Sequence, residues 1–155
     1  MLRFRNIDVY ESIRAHPAGG FTQQASDSPV EVDRVLFDSR PHYLVSLKST
    51  GVVFINPNEI YSFVRVRGDS MNRAKPTPIV GGDYVLLRIA DRPEDGQIVA
   101  AVFKEDFPEA SQSGLKRKAR DGLYSESTTP YDIVPLENVE RYVGEVIAIA
   151  KPLRE

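Results

Sequence analysis

Two short stretches carry residue types that could do chemistry together. Val66-Arg67-Gly68-Asp69-Ser70-Met71 presents a serine just after a glycine, at the end of an apolar-alternating run. Gly114-Leu115-Lys116-Arg117 places a lysine inside a second extended run. A serine hydroxyl is a poor nucleophile until a base takes its proton. The chain has two histidines, His16 and His42, and neither lies in a recognisable catalytic context. A lysine is then the best candidate base, and the pair reads as a Ser-Lys peptidase dyad. A lysine titrates near about 10.4 in water, so a base of this kind needs an apolar cleft that disfavours the ammonium. Lys118 shares a strand face with Lys116 and is a rival. Blander meanings stay open: Ser70 could cap a turn, and Lys116-Arg117-Lys118-Ala119-Arg120 could be a solvated basic strand or a nucleic-acid patch.

The elements that must position these groups read as strands. Val30-Glu31-Val32 alternates, and Tyr43 to Leu47 and Val52 to Ile55 are β-rich runs separated by Lys48-Ser49-Thr50-Gly51, which has the composition of a hairpin turn. Further extended runs cover Phe63 to Val66, Tyr84 to Ile89, Gln97 to Phe103, Leu115 to Ala119 and Tyr142 to Ala150. Eleven prolines and ten glycines punctuate them, and sustained helical periodicity is absent apart from a short turn expected at Val9 to Arg14. The expected fold is mostly β, a compact domain of short, largely antiparallel strands over residues 29–155. Residues 1–28, rich in turn formers, form a flexible N-terminal arm in this scheme.

Composition narrows the function classes. At 155 residues the chain is one ordinary domain, and 41% hydrophobic residues suffice for a core. A formal net charge of −2 argues against this chain gripping a phosphate backbone directly. There is no cysteine, hence no disulfide and no thiolate chemistry. No stretch approaches the roughly 18 apolar residues of a membrane span. Met1-Leu2-Arg3-Phe4-Arg5-Asn6 is followed by polar residues rather than by a leader's apolar core. We expect a cytoplasmic protein with no membrane partner.

Five segments, in order, resemble one family. Phe63 to Met71 is similar to the nucleophile segment of LexA, UmuD and the self-cleaving phage repressors. Pro78-Ile79-Val80-Gly81-Gly82-Asp83-Tyr84-Val85-Leu86-Leu87 resembles the family's following loop and strand. Asp95-Gly96-Gln97-Ile98-Val99-Ala100-Ala101-Val102 resembles its next strand, Leu115-Lys116-Arg117 its lysine strand, and Gly144-Glu145-Val146-Ile147-Ala148-Ile149-Ala150 its closing strand. The match covers roughly residues 57–152. Two segments, Phe37 to Ile55 and Lys104 to Ser113, are insertions relative to the family, and the second is expected to be an exposed loop.

The resemblance implies a LexA C-terminal-domain-like fold and a division of roles. Ser70 is the nucleophile. Lys116 is the base, because the family order of apolar, lysine, basic is met by Leu115-Lys116-Arg117 and not by Arg117-Lys118-Ala119. The backbone amides of Asp69 and Ser70 form the oxyanion hole, and Met71 lines the cleft. The substrate is the chain's own arm, cut at Ala18-Gly19, with Gly19-Gly20 as the second choice. No metal and no cofactor enter. The partners implied are a second copy of the chain, paired through Tyr142 to Ala150, and a RecA–single-stranded DNA filament as activator. A repressor of this kind needs a DNA-binding domain ahead of residue 1; a UmuD-like protein does without one. Two alternatives stay open: a catalytically silent dimerisation module of a transcriptional regulator, and a peptidase acting in trans. Since burying an amine without partners costs free energy, Lys116→Ala is expected to leave the fold intact and, if anything, to stabilise it.

Overall fold

Alternation with a period of two organises nearly everything in this chain. The computed structural model describes residues 7–14, 16, 30–47, 53–56, 58–109 and 112–153. The strands, in chain order, are β1 (Asp8–Tyr10), β2 (Val30–Val32), β3 (Arg34–Phe37), β4 (Arg40–Ser46), β5 (Val53–Ile55), β6 (Tyr61–Arg65) and β7 (Tyr84–Ile89). They continue with β8 (Ile98–Phe103), β9 (Ser113–Lys118), β10 (Gly122–Tyr124), β11 (Val134–Pro135) and β12 (Val139–Pro152), and a 3-10 turn at Leu136–Asn138 precedes the last strand. The molecule is mostly β, with largely antiparallel pairing, as its sequence pattern predicts.

The spine is β12. One of its edges carries β7; the other carries β8 along its first half and β4 along its last residues. The principal sheet runs β1-β6-β7-β12-β8-β9-β10-β11, with β3 and β4 branching from β12. A separate β2–β5 ribbon adds Val32 and Val53 to the core. Gly144 sits where β12 passes from one neighbour to the other. A Cβ there would lie 2.5 Å from the Arg88 carbonyl oxygen, so only glycine lets the two backbones approach this closely.

Both faces of the sheet are buried, in different cores. On β8, Ile98, Ala100 and Val102 face one core, whereas Val99, Ala101 and Phe103 face another. On β7, Val85 and Leu87 face the first core, whereas Tyr84 and Leu86 face a third. This explains the doubly apolar closing strand. Val146, Ala148, Ile149 and Ala150 are buried within this chain, on a central strand whose edges are already paired. Its apolarity therefore needs no second copy to cover it.

Two expectations about local structure are corrected. The runs at Tyr43 to Leu47 and Val52 to Ile55 do not form a hairpin: β4 pairs with β3 and β12, and β5 pairs with β2. The hairpin is β3–β4, turning at Asp38 and Ser39, both at positive φ as tight two-residue hairpin turns require. The second correction concerns Val9 to Arg14. Instead of a helical turn from Val9, Asp8–Tyr10 form a strand parallel to β6, and a turn follows.

Candidate active site

Ser70 stands in the turn that follows β6. Gly68, at φ 82, admits the left-handed step that ends the run. The turn is closed by Asn72 N–H donating to Asp69 O at 3.2 Å and Ala74 N–H donating to Met71 O at 3.0 Å. Met71 is 1% exposed and anchors the turn in the first core. The Ser70 hydroxyl donates to the carbonyl of Leu115 on β9 at 2.8 Å.

A cavity of about 220 Å³ opens beside Ser70. Met71 and Leu115 line it, and so do Ser12, Ile13 and Arg14 from the chain's own N-terminal segment. That segment arrives along β1, in register Asp8 with Ser62 and Tyr10 with Val64. Arg67 Nε donates to the Glu11 carbonyl at 3.1 Å, and Ile13 packs on the first core. Beyond it, buried His16 contacts Ser62 Oγ through Nε2 at 2.8 Å, and its carbonyl accepts from Arg141 at 2.6 Å. The described part of the arm is thus docked on the domain beside Ser70. Ala18, Gly19 and Gly20 lie outside the described residues.

Lys116 is completely buried. Strand alternation puts its neighbour Leu115 in the first core, beside Met71, and points Lys116 to the opposite face with Phe103. There Nζ donates to Ser125 Oγ at 2.7 Å and to Glu109 Oε1 at 2.8 Å, and it lies 4.3 Å from the centre of the Tyr131 ring. Carboxylate, hydroxyl and ring face together suit an ammonium. Ser70 and Lys116 belong to adjacent elements, yet each bonds elsewhere, and no hydrogen bond joins the hydroxyl to the amine.

Asp69 links the two sides. Tyr131 and Thr129 donate hydroxyl hydrogen bonds to its carboxylate, and the Ser127 hydroxyl donates to its carbonyl at 2.6 Å. The Thr129 and Tyr131 bonds hold the Asp69 carboxyl below its usual range, helped by its own backbone amide and by the Lys116 charge. Tyr131 is pushed up to about 12, first by its bond to Asp69, then by burial and by the charges of Asp69 and Glu109. The Asp69 side chain therefore ties the nucleophile turn to the segment roofing Lys116.

The neighbouring cations have structural partners. Arg117 pairs with Glu126 at 2.9 Å, and Lys118 pairs with Asp95 at 2.5 Å. With Lys116 on Glu109, three of the four cations in Lys116-Arg117-Lys118-Ala119-Arg120 have carboxylate partners, which counts against a free nucleic-acid patch. Ser125 and Glu109 are site residues that sequence reasoning missed. Among the described residues, no group of His, Asp and Glu could hold a metal ion, and no helix is long and apolar enough to cross a membrane. No family model matches this chain, and no curated protein matches it either.

Proposed function

We propose that this chain is a self-cleaving Ser-Lys peptidase domain of a LexA/UmuD-type stress-response or phage-type regulator, cutting its own arm at Ala18-Gly19. The observation that carries the proposal is that Ser12, Ile13 and Arg14 of the arm form part of the wall of the cavity beside Ser70. A fully buried lysine one residue from the carbonyl that Ser70 contacts supports it. The arm is already held at the cleft, so attack in cis gains the advantage of proximity. Arg14 is four residues short of Ala18, a stretch that spans up to about 14 Å when extended.

The chemistry runs in balance. Lys116, as the free amine, accepts the Ser70 proton while Oγ attacks the Ala18 carbonyl carbon. Backbone amides at Asp69 and Ser70 donate to the oxyanion. The Ala18–Gly19 C–N bond breaks, the Gly19 amine leaves with the proton held by Lys116, and water then hydrolyses the acyl-serine. For the first step Nζ must leave Glu109 and turn to Ser70, so the present arrangement is a resting form. An activator of the RecA-filament type would act by favouring the cleavable form. That activator, the homodimer and the regulatory role rest on the family resemblance.

Incubating the purified chain and following its intact mass tests the proposal. The expected product starts at Gly19, appears faster as pH rises toward about 10, and is absent in Ser70→Ala. A product starting at Gly20 moves the scissile bond by one residue. A mass that stays whole favours the silent dimerisation module, which the separation of Ser70 from Lys116 otherwise supports.

A further inference from the structure

The connection between β8 and β9, expected to be only an exposed loop, delivers a carboxylate to the candidate base. Glu109 is 12% exposed at its side chain, and Lys116 is not exposed at all. The described residues of the loop anchor it. Phe107 is buried against Phe103, Phe107 N–H donates to Lys104 O at 3.0 Å, and Gln112 N–H donates to Glu109 O at 3.1 Å. Gln112, at φ 52, turns the chain into β9, and its side-chain amide donates to Glu105 O at 2.9 Å. While Nζ is bonded to Glu109 and Ser125 on the far face of β9, it is not placed to take the proton of Ser70.

We propose that Glu109 is a latch that holds Lys116 in its resting form, so that Glu109 must release the lysine before Ser70 can be activated. This rests on the peptidase function proposed above and adds its control. The arm is wired to the latch. Arg14, which lines the Ser70 cavity, donates from Nη2 to the carbonyl and side-chain oxygens of Gln112 at 3.2 and 3.3 Å. Movement of the arm in the cleft is thereby passed to the loop that carries Glu109. Ser125 is the other partner of Nζ, a neutral one that the amine exchanges for Ser70 once Glu109 withdraws.

The test compares self-cleavage rates of the full chain at pH 8 by intact mass, for wild type, Glu109→Gln, Glu109→Asp and Ser70→Ala. Glu109→Gln keeps shape and removes the charge, and the expected result is cleavage about tenfold faster. Glu109→Asp keeps the charge but draws it back by one methylene. It retains a carboxylate partner for the buried lysine, which the glutamine variant removes, and its expected rate lies between the other two. Far-UV circular dichroism identifies which variants are folded. A folded Glu109→Gln or Glu109→Asp that cleaves no faster than wild type overturns the latch. If wild type then still cleaves and Ser70→Ala does not, the peptidase function stands without it. Absence of cleavage in every variant overturns both.

Discussion

The two faces of β9 make different environments out of adjacent residues. Leu115 faces an apolar cleft, with Ser70 at its carbonyl and the arm along its wall. Lys116 faces a closed nest of Glu109, Ser125 and Tyr131. The cleft is where a peptide can lie; the nest is where a charge can be stored. A strand puts neighbouring side chains on opposite faces whatever their chemistry. Bringing the amine to the serine therefore takes a change of side-chain path, and that change is a natural point of control.

The largest expected effect is on cleavage itself. Ser70→Ala and Lys116→Ala should each reduce it by roughly 10⁴-fold or more, and the double variant should be no worse than either, because the pair acts as a unit. Single-turnover mass spectrometry of all three checks this. Additive losses would show two independent roles and break the pairing of the two faces.

Stability should then separate the faces. Ser70→Ala loses one hydrogen bond, about 1 kcal/mol. Lys116→Ala leaves Glu109 without its partner in a mostly buried site and should cost about 3 kcal/mol in urea unfolding. The sequence alone predicts the opposite sign, because it shows a buried amine without showing Glu109 and Ser125, which hold it. Equal midpoints for the two variants would mean that the nest stores no charge.

The bridge between the faces is pH-dependent. The Asp69 carboxyl is held below its usual range when folded, chiefly by Thr129 and then by Tyr131. Its contribution is complete above the unfolded value of about 3.9 and is lost as pH falls through the lower folded value. Wild type should thus melt above Asp69→Asn at pH 7, and the gap should close as the solution is acidified below about pH 4. Tyr131, pushed up to about 12, keeps its proton through the alkaline cleavage assay. A gap that persists at low pH would assign the stabilisation to shape rather than to charge.

The smallest effect belongs to Lys118. Its ion pair is with Asp95, itself 56% exposed, so Lys118→Ala should change stability by less than about 1 kcal/mol and leave cleavage unaltered. Loss of cleavage in this variant alone would move the base two residues along β9.

Much of the fold is visible in the sequence because burial on alternating faces writes itself into residue type. Tyr84 to Ile89 and Gln97 to Phe103 contain β7 and β8, while Phe63 to Val66 overlaps β6 and Tyr142 to Ala150 lies within the longer β12. What was hidden depends on pairing between distant segments. Asp8-Val9-Tyr10 is too short to announce a strand, and its place beside β6 is set by contacts more than fifty residues away. Asp38-Ser39 lacks the glycine that usually marks such a turn. At the candidate site, Ser70, Met71 and Lys116 stood out by type and spacing. Glu109 looked like one more charge in a polar loop, and Ser125 like one more hydroxyl among turn residues. Nothing local says that both converge on the same amine; the β8–β9 register decides it.

The most direct measurement is the intact mass of the full chain and of its Ser70→Ala variant, incubated side by side for days at about pH 9.5. The account predicts that the wild-type chain yields the fragment Gly19–Glu155 while Ser70→Ala stays whole. A wild-type chain that also stays whole, or a fragment that forms equally in Ser70→Ala, would contradict it.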